Sequence, residues 1–191
     1  MHKRSNENTG FLYSNGLPIP FTPAYFQRIQ PSEVANENAL RKQYQENGFV
    51  YLKSVLDEKS VFNLREAYFK LFDQVIFKEG SAIKDGIFSG TLQYLPSAHG
   101  HKDHPASRFV LTDEFEHFTH SKALYSIAAT LLGEDVVQLK CKPLRHFYKG
   151  TEVASQAHTD YTYMDEGTDK LLSIWIPLGE IYRWPVAAYY T

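Results

Sequence analysis

The apolar residues of this chain change period along its length, and that change constrains the fold more than any other feature. Val61, Leu64, Tyr68, Leu71 and Val75 recur at three- and four-residue steps, the stripe of an amphipathic helix opened by Asp57. Leu124, Ile127 and Leu131 repeat the pattern, with Thr119 or Ser121 as cap and Gly133 as terminator. Another helix is predicted over 33–46, capped by Ser32 and ended by Asn47-Gly48. The later chain alternates instead. "VVQLKCKPLRHFY" (136–148) reads as strand on either side of Pro143, and "LLSIWIPLGEI" (171–181) is the clearest strand, with Trp175 in the core. "GFVYLKSVL" (48–56) is strand-like as well. Helices first and strands late predict an α+β chain rather than alternating α/β.

Pro18, Pro20, Pro23 and Pro31 exclude a long helix near the amino terminus and predict an extended arm over 1–31. One domain over 32–191 follows, since 191 residues hardly suffice for two cores. Residues 78–110, rich in Gly, Ser and His, predict a long irregular loop of the kind that often carries function. Within it "HGHKDHPASR" sets His99, His101, Asp103 and His104 at spacings that can converge on one ion, although a polar loop needs no metal to explain them. The single Cys141 excludes an intramolecular disulfide and reads as a small buried hydrophobe. A net charge of −2 with scattered basic residues gives no surface for nucleic acid or acidic membranes. The chain has no run of 18 apolar residues, and "MHKRSNENTG" lacks a signal peptide's apolar region. The cytoplasm is therefore the expected location.

The chemistry-bearing stretch is "SQAHTDYTYM" (155–164). On an extended segment, side chains two apart point to the same side, so His158 and Asp160 can offer one imidazole and one carboxylate to one ion. With a second histidine, that set is the facial triad of non-haem iron(II) oxygenases. Taken alone the pair is common, and a solvated ion pair is the plain alternative. Tyr161 and Tyr163 follow at strand spacing, beside the site or in the core. Lys140, Lys142 and Arg145 precede it; one of them facing the pocket would meet an anionic group, while surface cations are the simpler reading.

Four stretches occur in order: "QYQENGFVYLKSVLDEKSVFNLREAY" (43–68), "LYSIAATLLGED" (124–135), "AHTDYTY" (157–163) and "LLSIWIPLGEI" (171–181). Over about 40–180 the sequence resembles the phytanoyl-CoA dioxygenase family of Fe(II)- and 2-oxoglutarate-dependent oxygenases. The resemblance implies a double-stranded β-helix, or jelly roll, with amino-terminal helices buttressing one sheet. It implies His158 and Asp160 as iron ligands, with 2-oxoglutarate and O2 as cosubstrates and a small organic molecule as substrate. Tyr161, Tyr163 and Lys140 become candidates for cosubstrate contact, and the carboxylate at 160 favours hydroxylation over halogenation.

The family's second histidine and its 2-oxoglutarate-binding basic residue lie downstream of the pair, whereas His158 is the last histidine here. His146, upstream, is the remaining substitute for a third ligand, though it does not match the family's position. From about 182 the chain reads "YRWPVAAYYT", unlike the Gly-rich apolar tract expected there. The codons of Pro185 to Tyr190, read two bases on, permit three glycines, one apolar residue and a leucine. The expectation is an altered or frameshifted tail, an incomplete barrel, weak iron binding and poor activity. Two other readings stay open. One is a non-catalytic relative that keeps the fold for binding or assembly. The other is a metal-binding β-barrel protein whose ion is held by His99, His101 and His104. Substrate identity and oligomeric state are not legible.

Overall fold

A computed structural model describes residues 11–14, 16–20, 22, 29–33, 36–94, 103–148, 158–164 and 167–179. The amino-terminal arm contains an antiparallel hairpin of β1 (Phe11–Ser14) and β2 (Leu17–Pro20), with Phe11 opposite Pro20 and Ser14 opposite Leu17. A two-stranded ribbon has only edges, which is where a strand tolerates two prolines.

Helix α1 (Glu37–Asn47) starts later than predicted. Its cap is Asn36, whose Oδ1 accepts from the Ala39 N–H at 3.0 Å. Ser32 serves another purpose: its N–H donates to the Tyr51 carbonyl at 2.7 Å, and its Oγ accepts from the Tyr51 N–H at 3.2 Å. Both serine bonds cross to the 49–56 segment, so they clamp chain to chain rather than starting a helix. The end of α1 matches expectation, with Gly48 left-handed at φ 76°.

Helix α2 (Glu58–Phe69) begins at Asp57, whose Oδ2 accepts from the Ser60 N–H at 2.9 Å and the Ser60 hydroxyl at 2.8 Å. It stops one turn short of the predicted stripe. The Leu71 N–H donates to the Tyr68 carbonyl and the Phe72 N–H to the Phe69 carbonyl, so the chain tightens there. That turn moves the apolar phase by one residue: Phe72 and Ile76 are buried, while Leu71 and Val75 are exposed.

The predicted irregular loop holds more order than expected. Lys78 N–H donates to the Ile87 carbonyl at 2.7 Å and Ser89 N–H to the Ile76 carbonyl at 2.8 Å, around a bridge between Phe77 and Phe88. A 3₁₀ turn at Ile83–Asp85 ends at Gly86, with φ 61°, and a Cβ there would overlap the Phe69 ring. Gly86→Ala is expected to cost about 2 kcal/mol, combining left-handed strain with overpacking. The shift of the urea midpoint measures it; a change under about 0.5 kcal/mol would show that Phe69 gives way freely.

Helix α3 (Pro105–Phe109) lies inside the same stretch, α4 (Asp113–Thr119) follows Thr112 as cap, and α5 (Lys122–Leu132) ends on left-handed Gly133 as predicted. Leu64, Tyr68, Phe72, Ile76, Phe77, Ala106, Phe109 and Phe115 form the core, where α2 meets α3 and α4. Helix α5 packs on α1, where Arg41 Nε donates to the Thr130 carbonyl at 2.8 Å. No helix among the described residues is long and apolar enough to cross a membrane.

The described residues hold helices and little sheet. The segments predicted as strands, 48–56, 136–148 and 171–179, form no strand element there. Alternation tells which faces are apolar; it does not supply the neighbour whose N–H and C=O groups complete a ladder. Without a second layer on 171–179 among the described residues, Trp175 is 54% exposed rather than core. Cys141 is exposed too, because the segment carrying it runs over the surface instead of inside a sheet.

Candidate metal centre

His158 and Asp160 come together, though not on a strand. Asp160 is the first residue of a 3₁₀ turn, Asp160–Tyr163. The turn is closed from within: the Thr162 N–H donates to the Thr159 carbonyl at 3.1 Å, and the two threonine hydroxyls lie 2.7 Å apart. His158 Nε2 and Asp160 Oδ1 are 3.3 Å apart. Two ligands at right angles on one ion, each about 2.1 Å from it, lie about 3 Å apart, so this separation fits a shared metal.

The other carboxylate oxygen is engaged. The Ser173 hydroxyl donates to Asp160 Oδ2, joining the turn to the 171–179 segment. The one sequence signal for this contact is a lone polar residue inside the apolar run "LLSIWI". Lys170, three residues before Ser173, pairs with Glu134 just past α5 at 2.9 Å.

The remaining candidates are placed as follows. Tyr161 is 61% exposed, so core packing is excluded for it. The backbone of Tyr163 belongs to the turn, while its side chain lies outside the described residues. Lys140 is exposed. Lys142 pairs with Glu116 of α4, and that hydrogen bond holds the Glu116 carboxyl below its usual range.

His146 does not join the pair. Its Nδ1 shares a 2.8 Å hydrogen bond with the Tyr68 hydroxyl, and its ring packs 5.1 Å from Phe72, 4.6 Å from Tyr148 and 5.4 Å from His104, between centroids. Burial, then the neighbouring His104, pushes the His146 pKa down to about 4. Burial also raises Tyr68 and Tyr148 above the usual phenol range. These groups therefore stay neutral at ordinary pH and form a polar seam inside an aromatic core.

His104, read from sequence as part of a polar loop, is buried in the same seam, and its Nδ1 accepts from the Ala106 N–H at 3.1 Å to cap α3. A histidine before Pro-Ala has the pattern of a helix start, and that signal was available in the sequence. His99 and His101 lie outside the described residues, as does the tail from 182. Among the described residues no group of three His, Cys, Asp or Glu is placed to hold a metal.

A family model, phytanoyl-CoA dioxygenase (PhyH), matches residues 44–183, well over half of the chain. No curated protein and no solved structure matches it.

Proposed function

Because the chain belongs to the phytanoyl-CoA dioxygenase family, we propose that it is an oxygenase of the small-organic-substrate class, with His158 and Asp160 as two ligands of an iron(II) centre; no third ligand joins them among the described residues, so weak iron binding and low activity are expected. Members of that family have a cupin-like fold and generally depend on Fe(II) and 2-oxoglutarate. When bound, those two groups supply the activation of O2 that substrate hydroxylation requires.

The observation that carries the reading is the 3.3 Å approach of His158 Nε2 to Asp160 Oδ1. An imidazole and a carboxylate are two of the three protein ligands of a facial iron(II) site, whose remaining positions serve the cosubstrate. The 3₁₀ turn holds Asp160 through its own backbone bond, so the ligand geometry is not left to a floppy loop. Tyr161 and Lys140, both exposed, and Tyr163 are the candidates to meet the carboxylates of 2-oxoglutarate. Leu139 lies alongside Gly167, which brings the segment before Lys140 next to the chain following the pair.

Anaerobic addition of Fe(II) and 2-oxoglutarate tests the reading. A weak visible metal-to-ligand band is expected, with affinity for iron at least about tenfold lower in His158→Ala and in Asp160→Ala. An unchanged band in both variants would sink the reading. Iron uptake in none of the proteins would instead favour a non-catalytic relative. Uptake abolished only when His99 and His101 are removed would favour the histidine-rich loop.

A further inference from the structure

We propose that Ser173 is a positioning residue for the metal centre: its hydroxyl holds Asp160 Oδ2, so that Oδ1 alone is presented beside His158. The inference rests on the iron reading of His158 and Asp160 given above. It concerns a residue 13 positions from Asp160, on a separate segment of the chain.

The two oxygens of Asp160 have different neighbours. Oδ2 accepts from the Ser173 hydroxyl, and Oδ1 lies 3.3 Å from His158 Nε2. A carboxylate rotating freely about its terminal bond would exchange these oxygens and spread its negative charge over many directions. A donor on one oxygen stops that rotation and leaves a single-oxygen ligand. A single-oxygen ligand matters at an oxygenase centre because a carboxylate binding through both oxygens occupies a position the cosubstrate needs.

The backbone frame supports this. The Thr162 N–H bond to the Thr159 carbonyl fixes the stem of Asp160, and the bond to its Oδ2 comes from outside the turn. Ser173 thereby sets the torsion of the carboxylate. Three residues before Ser173, Lys170 pairs with Glu134 just past α5 at 2.9 Å, which gives the segment a second attachment. Ser173 is exposed and outside the buried core, so its replacement removes a hydroxyl without opening a cavity.

Three substitutions separate the hydroxyl from the shape of the side chain: Ser173→Ala, Ser173→Val and Ser173→Thr. Valine and threonine have nearly the same shape, and only threonine donates. The full chain is titrated with Co(II) alone, following its visible absorption, beside His158→Ala and with metal-free melting temperatures for every variant. The expected result is wild-type binding lost in His158→Ala, about tenfold weaker in the alanine and valine variants, and restored within about threefold in the threonine variant. Melting temperatures stay level across the series, and the absorption envelope of the valine variant changes while that of threonine does not.

Equal Co(II) affinity in wild type, alanine and valine variants overturns the positioning role and leaves the iron reading standing. Equal affinity in threonine and valine variants, both weakened, assigns the effect to bulk and overturns it as well. Equal uptake by wild type and His158→Ala overturns the metal reading and the role of Ser173 together.

Discussion

Phe109→Ala is expected to destabilise the chain by about 3–5 kcal/mol, a large share of a typical domain's total stability. Phe109 is 2% exposed, and its ring lies 5.3 Å from Tyr68 and 6.0 Å from Phe115 between centroids. Those two partners belong to α2 and α4, so the ring is where α3 joins the helices on either side of it in sequence. Removing it costs the transfer energy of the ring plus the cavity left between elements that cannot fully collapse. Leu111, two residues on and 83% exposed, is the control: Leu111→Ala is expected to change stability by less than about 0.5 kcal/mol. Urea unfolding of the three proteins measures both. A Phe109→Ala shift below about 1 kcal/mol would mean that the aromatic cluster does not hold the helices together.

Acid is expected to remove about 3 kcal/mol by pH 4 through His146 alone. Its folded pKa of about 4 lies below the ordinary value of 6.5 because the ring is buried and faces His104. The unfolded chain therefore takes up the proton first. The stability tied to a neutral His146 is intact above about pH 6.5, declines as the pH falls below that, and is gone once it passes about 4. The groups against the ring are His104, Tyr68 and Tyr148, with Phe69 and Phe72 completing the cage. None of these is anionic at these pH values, so among the described residues no negative group offsets an imidazolium there. Unfolding free energies between pH 7 and pH 4, in wild type and His146→Phe, isolate the effect. The wild-type decline exceeds the variant's by about the amount given; parallel declines would assign acid sensitivity to other groups.

Both effects arise from a seam that only part of the sequence pattern announced. The ends of α1 and α5 were legible because Gly48 and Gly133 act within one turn of their own helices. Asp57 was legible as a cap for the same reason. Ser32 does not cap α1 although Ser, Thr, Asp and Asn all qualify as caps, because it is engaged by Tyr51 and Asn36 serves instead. Leu71 and Val75 fit the helical period but lie past a turn that shifts its phase, so Phe72 and Ile76 are buried in their place. His104 reads as a loop residue beside the histidines at 99 and 101, while its place before Pro105 puts it at a buried helix start.

For the candidate site, the residue pair was legible and its backbone was not. His158 and Asp160 stand two apart, which brings them near each other on a strand and, as found, on a tight turn. Membership of the phytanoyl-CoA dioxygenase family was likewise written in motif order, over residues 44–183.

The sequence by itself determined α1, α2 and α5, several of their ends and the His158–Asp160 pair, because each depends on residues within a few positions of one another, and it determined the family through the order of its motifs. Only the tertiary structure decided that Ser173 holds Asp160, that Tyr68 meets His146, and that His104 closes the same core. Those contacts span 13 to 78 residues of chain. Local pattern carries no record of which distant segment arrives, since that depends on the closure of the whole chain around its core.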